Sequence, residues 1–411
     1  MEIKTTAPGT REAYGGVEKM GLANGAGSVY SFGSEDNVPE LLCVMENGSM
    51  EQSAEAAQAL FEQLCMEHGV HEATSALIEP LLDILTVRYK SVAKASILNG
   101  IAQVLRTVMD SHLPFGVTPS RYRHADDAET RDIASQVEQS WLHVLRERYA
   151  DWTSLIHEDD RTAVQVIYVL HMLQWTDEAV EDTLQEASFH GLTARVRLNG
   201  LLALADYRHR IGKPFNPSIA FGQHQDDELH EAIRAVCVAV TTPESLGLLE
   251  MSKLISGCTL PRLDRIQFPW ADGAIASVCA QAACRSLSKG TTLDERAAFW
   301  KEALEKTISA HQRRSRQVVW EIGESTVQWD EEWLQWNWNS PMLVADGMLY
   351  SLFQTPGQEG GVMQKQEDGT VSIHPAAARV IKVCLQNQVD MPNAERYGAG
   401  MTIRSLYRFI T

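Results

Sequence analysis

Apolar positions along this chain recur with the 3.6-residue period of helices that bury one face. Ala57, Leu60, Phe61, Leu64 and Cys65 make one such stripe, and Ile97, Ile101, Val104, Leu105 and Val108 make a second. Ile233, Val236, Cys237 and Val240 make a third, and Ile275, Val278, Cys279 and Ala282 a fourth. Residues 163–173 are apolar on nearly every side, interrupted only by Gln165 and His171, so that helix is expected to be covered from both sides. Five stretches share one plan, a charged start followed by an apolar helix rich in alanine: 91–108, 159–173, 192–207, 226–241 and 270–287. Alanine among larger residues lets neighbouring helices approach closely. Arg161, Arg197 and Arg234 stand near the start or centre of three of these stretches, 36 and then 37 residues apart. A period of that size is the mark of stacked helix pairs.

The pattern predicts about 15 helices and no convincing strand. The alternating runs 318–322 and 371–373 are the best exceptions, and both are short. Residues 1–37 are rich in glycine and lack periodicity, which predicts a flexible segment. Order is expected to begin at Val38, with Ser34 or Asp36 capping the first helix, and Gly69 is placed to end the second. Residues 116–128, 213–225 and 256–269 read as loops, and 355–369 as a linker before the last helices. The organisation expected is a flexible 1–37, helical repeats over 38–290, and an irregular helical cap of the same array over 291–411.

Several of these segments resemble the bacterial HEAT-repeat proteins. The resemblance rests on Val38-Pro39-Glu40-Leu41-Leu42 and on a helix ending Ala59-Leu60-Phe61-Glu62-Gln63-Leu64. After a loop with His71, it continues through Ala73-Thr74-Ser75-Ala76-Leu77-Ile78-Glu79-Pro80-Leu81-Leu82. Asp159-Asp160-Arg161-Thr162-Ala163 looks like the acid-arginine-alanine start of a repeat. Phe268-Pro269-Trp270-Ala271-Asp272-Gly273-Ala274 resembles a later one. The resemblance implies an all-α fold, a right-handed α-solenoid of antiparallel helix pairs with an irregular C-terminal cap. These are packing motifs, so they imply a fold and no activity.

Charge narrows the class of partner. The 411-residue chain carries a formal net charge of −18. Residues 1–87 hold 14 acids against 3 bases, and 317–364 hold seven acids and no Lys or Arg. A nucleic-acid partner would need a basic stripe, so an acidic chain argues for a basic protein instead. An acidic surface also serves solubility alone. No stretch approaches the roughly 18 uncharged apolar residues of a bilayer span. The start of the chain shows no secretory signal, and seven scattered cysteines without a C-x-x-C fit a reducing compartment, so the expected location is cytoplasmic.

Candidate chemistry is sparse. Trp329, Trp333 and Trp336 share a helix face, and Asp330, Glu331 and Glu332 occupy the others. Trp338 falls off that face, which marks it with the three acids as a candidate surface for a basic partner; the competing reading is a buried aromatic seam. Arg195, Arg197, Arg208 and Arg210, with Lys213, form a basic cluster that reads either as an anion site or as ion pairs within the array. Ser91-Val92-Ala93-Lys94 matches S-x-x-K but lies inside a helical run. His71-Glu72 lacks the second histidine of a zinc-protease helix, since Ser75 stands there. No catalytic residue, metal site or cofactor is expected. The leading reading is a non-enzymatic protein-binding scaffold, of the kind an immunity protein provides against a basic toxin domain. The competing reading is a helical-repeat enzyme, a nucleic-acid glycosylase or a lyase acting on a small ligand.

Overall fold

The computed structural model describes residues 37–389, apart from breaks at 68–69, 71, 87–92, 114–115, 119–121, 217–226, 243–245, 288–290, 323–326, 354–361, 366–370 and 388. For 315–339 it describes the backbone only. The glycine-rich start, with Ser34, Asp36 and Gly69, lies outside the described residues.

The chain is all-α, with 15 helices and two short hairpins among the described residues. In order the first helices are α1 (Val38–Asn47), α2 (Met50–Glu62), α3 (Ile78–Thr86), α4 (Lys94–Val108), α5 (Ala128–Glu147), α6 (Tyr149–Thr153), α7 (Asp160–Leu173), α8 (Glu178–His190) and α9 (Ala194–Arg210). There follow α10 (Glu228–Thr241), α11 (Leu248–Cys258), α12 (Ile275–Leu287), α13 (Leu293–Ile322), α14 (Val327–Phe353) and α15 (Pro375–Gln386). None of the described helices is long and apolar enough to cross a membrane.

Local chemistry sets where these helices begin. Ser49 caps α2 with a full capping box: its Oγ accepts from Gln52 N at 3.2 Å, and Gln52 Oε1 accepts from Ser49 N at 2.9 Å. Asp127, Asp159, Thr193 and Asp227 cap α5, α7, α9 and α10 by accepting backbone N–H groups. Such caps contribute about 1 kcal/mol each.

The five stretches that share one plan in the sequence become α4, α7, α9, α10 and α12. They pack side by side in that order, and α14 extends the row beyond α12. The remaining helices lie along this row: α2 on α4, α8 on α9, α11 against both α10 and α12, and α13 against α14. A row member is therefore covered on several sides, which is why every residue of α7 from Thr162 to Leu173 is buried. One contiguous apolar core runs from Val38 to Val389. Trp141, Trp152, Trp270 and Trp300 are fully buried in it.

Several expectations are corrected. Strands do occur: β1 (Ser111–Leu113) pairs antiparallel with β2 (Gly116–Thr118), and β3 (Met363–Lys365) pairs antiparallel with β4 (Val371–Ile373). The first hairpin occupies part of an expected loop, and β3 lies inside the expected linker. Residues 318–322 are helical, because the long pattern of α13 runs through them. Helix α11 continues to Cys258, two residues into the loop expected from 256. The arginine period also dissolves. Arg161 stands two residues after its cap, Arg197 four after and Arg234 seven after. The equivalent positions are the caps themselves, Asp159, Thr193 and Asp227, spaced by 34 residues at each step. In that register the counterpart of Arg161 is Arg195.

Candidate functional site

The segment 259–274, between α11 and α12, is a strap tied to three helices of the row. Gln165 of α7 donates from Nε2 to the carbonyls of Ile266 (2.9 Å) and Arg265 (3.2 Å). Asn199 of α9 donates to the carbonyl of Gln267 at 3.2 Å and accepts from Trp270 Nε1 at 2.6 Å. Arg106 of α4 reaches Asp272 at 3.1 Å. Gln165 and Asn199 are buried, and a buried amide without partners is costly, so these bonds fix the strap to the row. The strap turns back through three consecutive residues with positive φ: Ala271 (47°), Asp272 (55°) and Gly273 (86°). Only glycine adopts that region freely. At Gly273 a Cβ would also stand 2.0 Å from the Leu263 carbonyl oxygen. The segment that resembles a repeat start is thus a strained turn, held by distant partners.

Beside the strap lies a cleft of about 400 Å³. The starts of α7, α9 and α10 form three of its walls and Gln267 of the strap a fourth. Its charged lining comes from Asp160 and Arg161 of α7, Arg195 of α9, and the cap Asp227. His230 adds a titratable ring, and Leu198 and Leu229 an apolar surface. Asp227 is committed to His230, accepting its backbone N–H at 2.8 Å and meeting its ring Nδ1 at 2.6 Å. Burial disfavours the Asp227 carboxylate, but those hydrogen bonds outweigh it and hold its pKa below the usual range. Arg195 is the opposite case. Burial lowers its pKa, the charge of Asp227 opposes this only in part, and its Nη1 is sealed from solvent with no hydrogen-bond partner.

The structure separates the four arginines of the basic cluster. Arg195 lines the cleft. Arg197 donates to the Gly191 carbonyl at 3.0 Å, closing the end of α8. Arg208 pairs with Glu181 at 3.2 Å, and Lys213 meets the same carboxylate at 2.5 Å. Arg210 pairs with the buried Asp206 at 3.0 Å and donates to the Gln174 carbonyl at 2.9 Å. Three of the four therefore join helices of the array.

The Glu181 cluster has a pH consequence. Burial raises the Glu181 pKa, yet Lys213 and Arg208 overcome it and the net shift is downward. A carboxylate with a lowered folded-state pKa stabilises the fold above its unfolded value, and that contribution disappears as pH falls through the folded one. Glu181→Gln is expected to be less stable than the parent near neutrality, with the gap closing across the acid limb. Urea unfolding of both proteins over that range checks this, and a gap that stays constant with pH would contradict it.

Sequence reasoning missed Asp160, Asp227, His230 and Gln267 as neighbours of Arg195. The cap spacing of 34 carries a signal for the first three, whereas Gln267 arrives only through the fold. Lys94 of the S-x-x-K match pairs with Glu158 at 2.7 Å. Ser49 of the glycosylation-like Asn47-Gly48-Ser49 is a helix cap. All seven cysteines are free, and Cys237, Cys258, Cys279, Cys284 and Cys384 are buried. Burial pushes the Cys258 and Cys384 thiols up to about 12, which suppresses the reactive thiolate. Asp330, Glu331, Glu332 and Trp338 belong to the backbone of α14, and their side chains lie outside the described residues. No family model, curated protein or solved structure matches this chain.

Proposed function

We propose that this chain is a non-enzymatic protein-binding scaffold in the cytoplasm, a right-handed solenoid of HEAT-like helix pairs whose partner is a basic protein. The observation that carries the reading is the continuous row of α4, α7, α9, α10, α12 and α14, each helix packed on the next. Arrays of this kind extend one surface by adding units and serve as extended binding faces. The net charge of −18 selects a basic partner by steering and by complementarity. A basic toxin domain held by an immunity-type protein has that chemistry.

The strap already ties down parts of α4, α7 and α9, so we place the partner on α14, at Asp330, Glu331, Glu332 and Trp338. Tryptophan supplies hot-spot area there and the acids supply charge. The test is capture of a basic partner from the native host, followed by titration of the purified pair against the parent chain and Trp338→Ala. Affinity is expected to fall by ~2 kcal/mol, the threshold of a hot spot, with the melting temperature unchanged. An unchanged affinity with a large drop in melting temperature places Trp338 in the core and removes it from the surface. Tight binding of duplex DNA that weakens steeply with salt would replace the scaffold reading with the glycosylase one.

A further inference from the structure

We propose that the cleft between the starts of α7, α9 and α10 binds a small oxyanion, a carboxylate or a phosphate, held by Arg195 with Arg161 at its rim. This ligand is separate from the basic protein partner, and neither proposal depends on the other.

The case begins with an uncompensated charge. Among the neighbouring arginines, Arg197, Arg208 and Arg210 each have an acceptor. Arg195 Nη1 is shut away from water and has none. Arg195 forms no ion pair among the described residues, and Asp227, the acid that acts on it, is bonded to His230. A guanidinium stripped of water without a counter-ion is an unfavourable arrangement in the empty protein. An oxyanion entering the cleft supplies the missing acceptor, and guanidinium binds carboxylate and phosphate through matched pairs of N–H groups.

The surroundings favour the same ligand. Three helices of 14, 17 and 14 residues begin at this cleft, and each presents the positive end of its dipole. Their caps occupy inner N–H groups, so the helices contribute field, and direct bonds fall to the arginines. A volume of about 400 Å³ suits a small molecule, and Leu198 and Leu229 offer its carbon skeleton an apolar wall. Asp160 and Asp227 work against an anion. They set its affinity, and removing one is expected to strengthen binding.

The experiment uses the full chain and two probes, inorganic phosphate and succinate, at constant ionic strength. Thermal shift and calorimetric titration are run on the parent, Arg195→Met and Asp227→Asn. A ligand that binds only the folded protein raises its melting temperature saturably. At least one probe is expected to do so: phosphate alone identifies a phosphate site, and succinate alone a carboxylate site. Arg195→Met is expected to weaken that probe at least about tenfold, the worth of one charge-assisted hydrogen bond. The unliganded melting temperature should hold or rise, because an uncompensated charge has been removed. Asp227→Asn keeps a good cap for α10 and is expected to tighten binding at least about threefold. No saturable shift with either probe up to about 10 mM would overturn the proposal, as would an Arg195→Met protein that binds like the parent. If Arg195→Met does not fold, Asp227→Asn decides alone, and unchanged or weaker binding there overturns it.

Discussion

Replacing Trp270 with alanine is expected to destabilise the fold by ~3–5 kcal/mol, the range for deleting a fully buried tryptophan. The side chain is 0% exposed. Its ring meets Tyr168 edge-on at 5.3 Å and His171 at 4.6 Å, and its Nε1 donates to Asn199. Truncation opens a cavity in the row and also leaves the buried Asn199 oxygen without its donor. Trp270→Phe separates the two effects: most of the packing stays, the hydrogen bond goes, and the expected loss is ~1–3 kcal/mol. A further effect is local. Ala271 and Asp272 hold a left-handed conformation that costs non-glycine residues on the order of 1–2 kcal/mol each, and Trp270 is next to them in the strap. With its anchor gone, residues 259–274 should exchange amide hydrogens faster than the rest of the core. Urea unfolding and hydrogen exchange measure both. A loss below ~1 kcal/mol, or a strap as protected as before, would show that Trp270 does not anchor it.

The second large effect has an unusual sign. In the interior of an exposed helix, glycine to alanine stabilises by ~1 kcal/mol. At Gly100, inside α4, alanine is expected to destabilise by ~3 kcal/mol, the upper end for overpacking. A Cβ there would lie 1.8 Å from Cδ2 and 2.0 Å from Cε2 of Phe61, whose ring from α2 rests on the glycine. Phe61 is itself buried, so it can move only by shifting α2 away from α4. The pair supplies its own control. Gly100→Ala with Phe61→Leu should be more stable than Gly100→Ala alone, although Phe61→Leu by itself should be destabilising. Melting curves for the four proteins complete the double-mutant cycle, and strict additivity would refute the close packing of α2 on α4 at this point.

Helices were legible in the sequence because their causes are local. The 3.6-residue stripes of α2, α4, α10 and α12 and the cap at Asp159 lie within a few residues of what they determine. The shared plan of five stretches even marked out the members of one row, since only helices covered on several sides are so uniformly apolar. Register was not legible. Counting arginines gave 36 and 37, because arginine can serve at any exposed turn, whereas a cap works at one position and keeps the spacing of 34. The hairpins escaped because three-residue strands are too short for alternation to show.

The strap and the cleft were decided by tertiary structure alone. Nothing around Gln165 or Asn199 announces that each must satisfy carbonyls about 100 and 68 residues away. Nor does Asp272 announce Arg106, which is 166 residues distant. The basic cluster was visible as a cluster, but which arginine lacked a partner depended on where Glu181, Asp206 and the Gly191 carbonyl came to rest. Composition fixes how many charges a chain carries. Only packing decides which of them is stripped of water and left without a counter-ion, because desolvation is a property of the place and not of the residue.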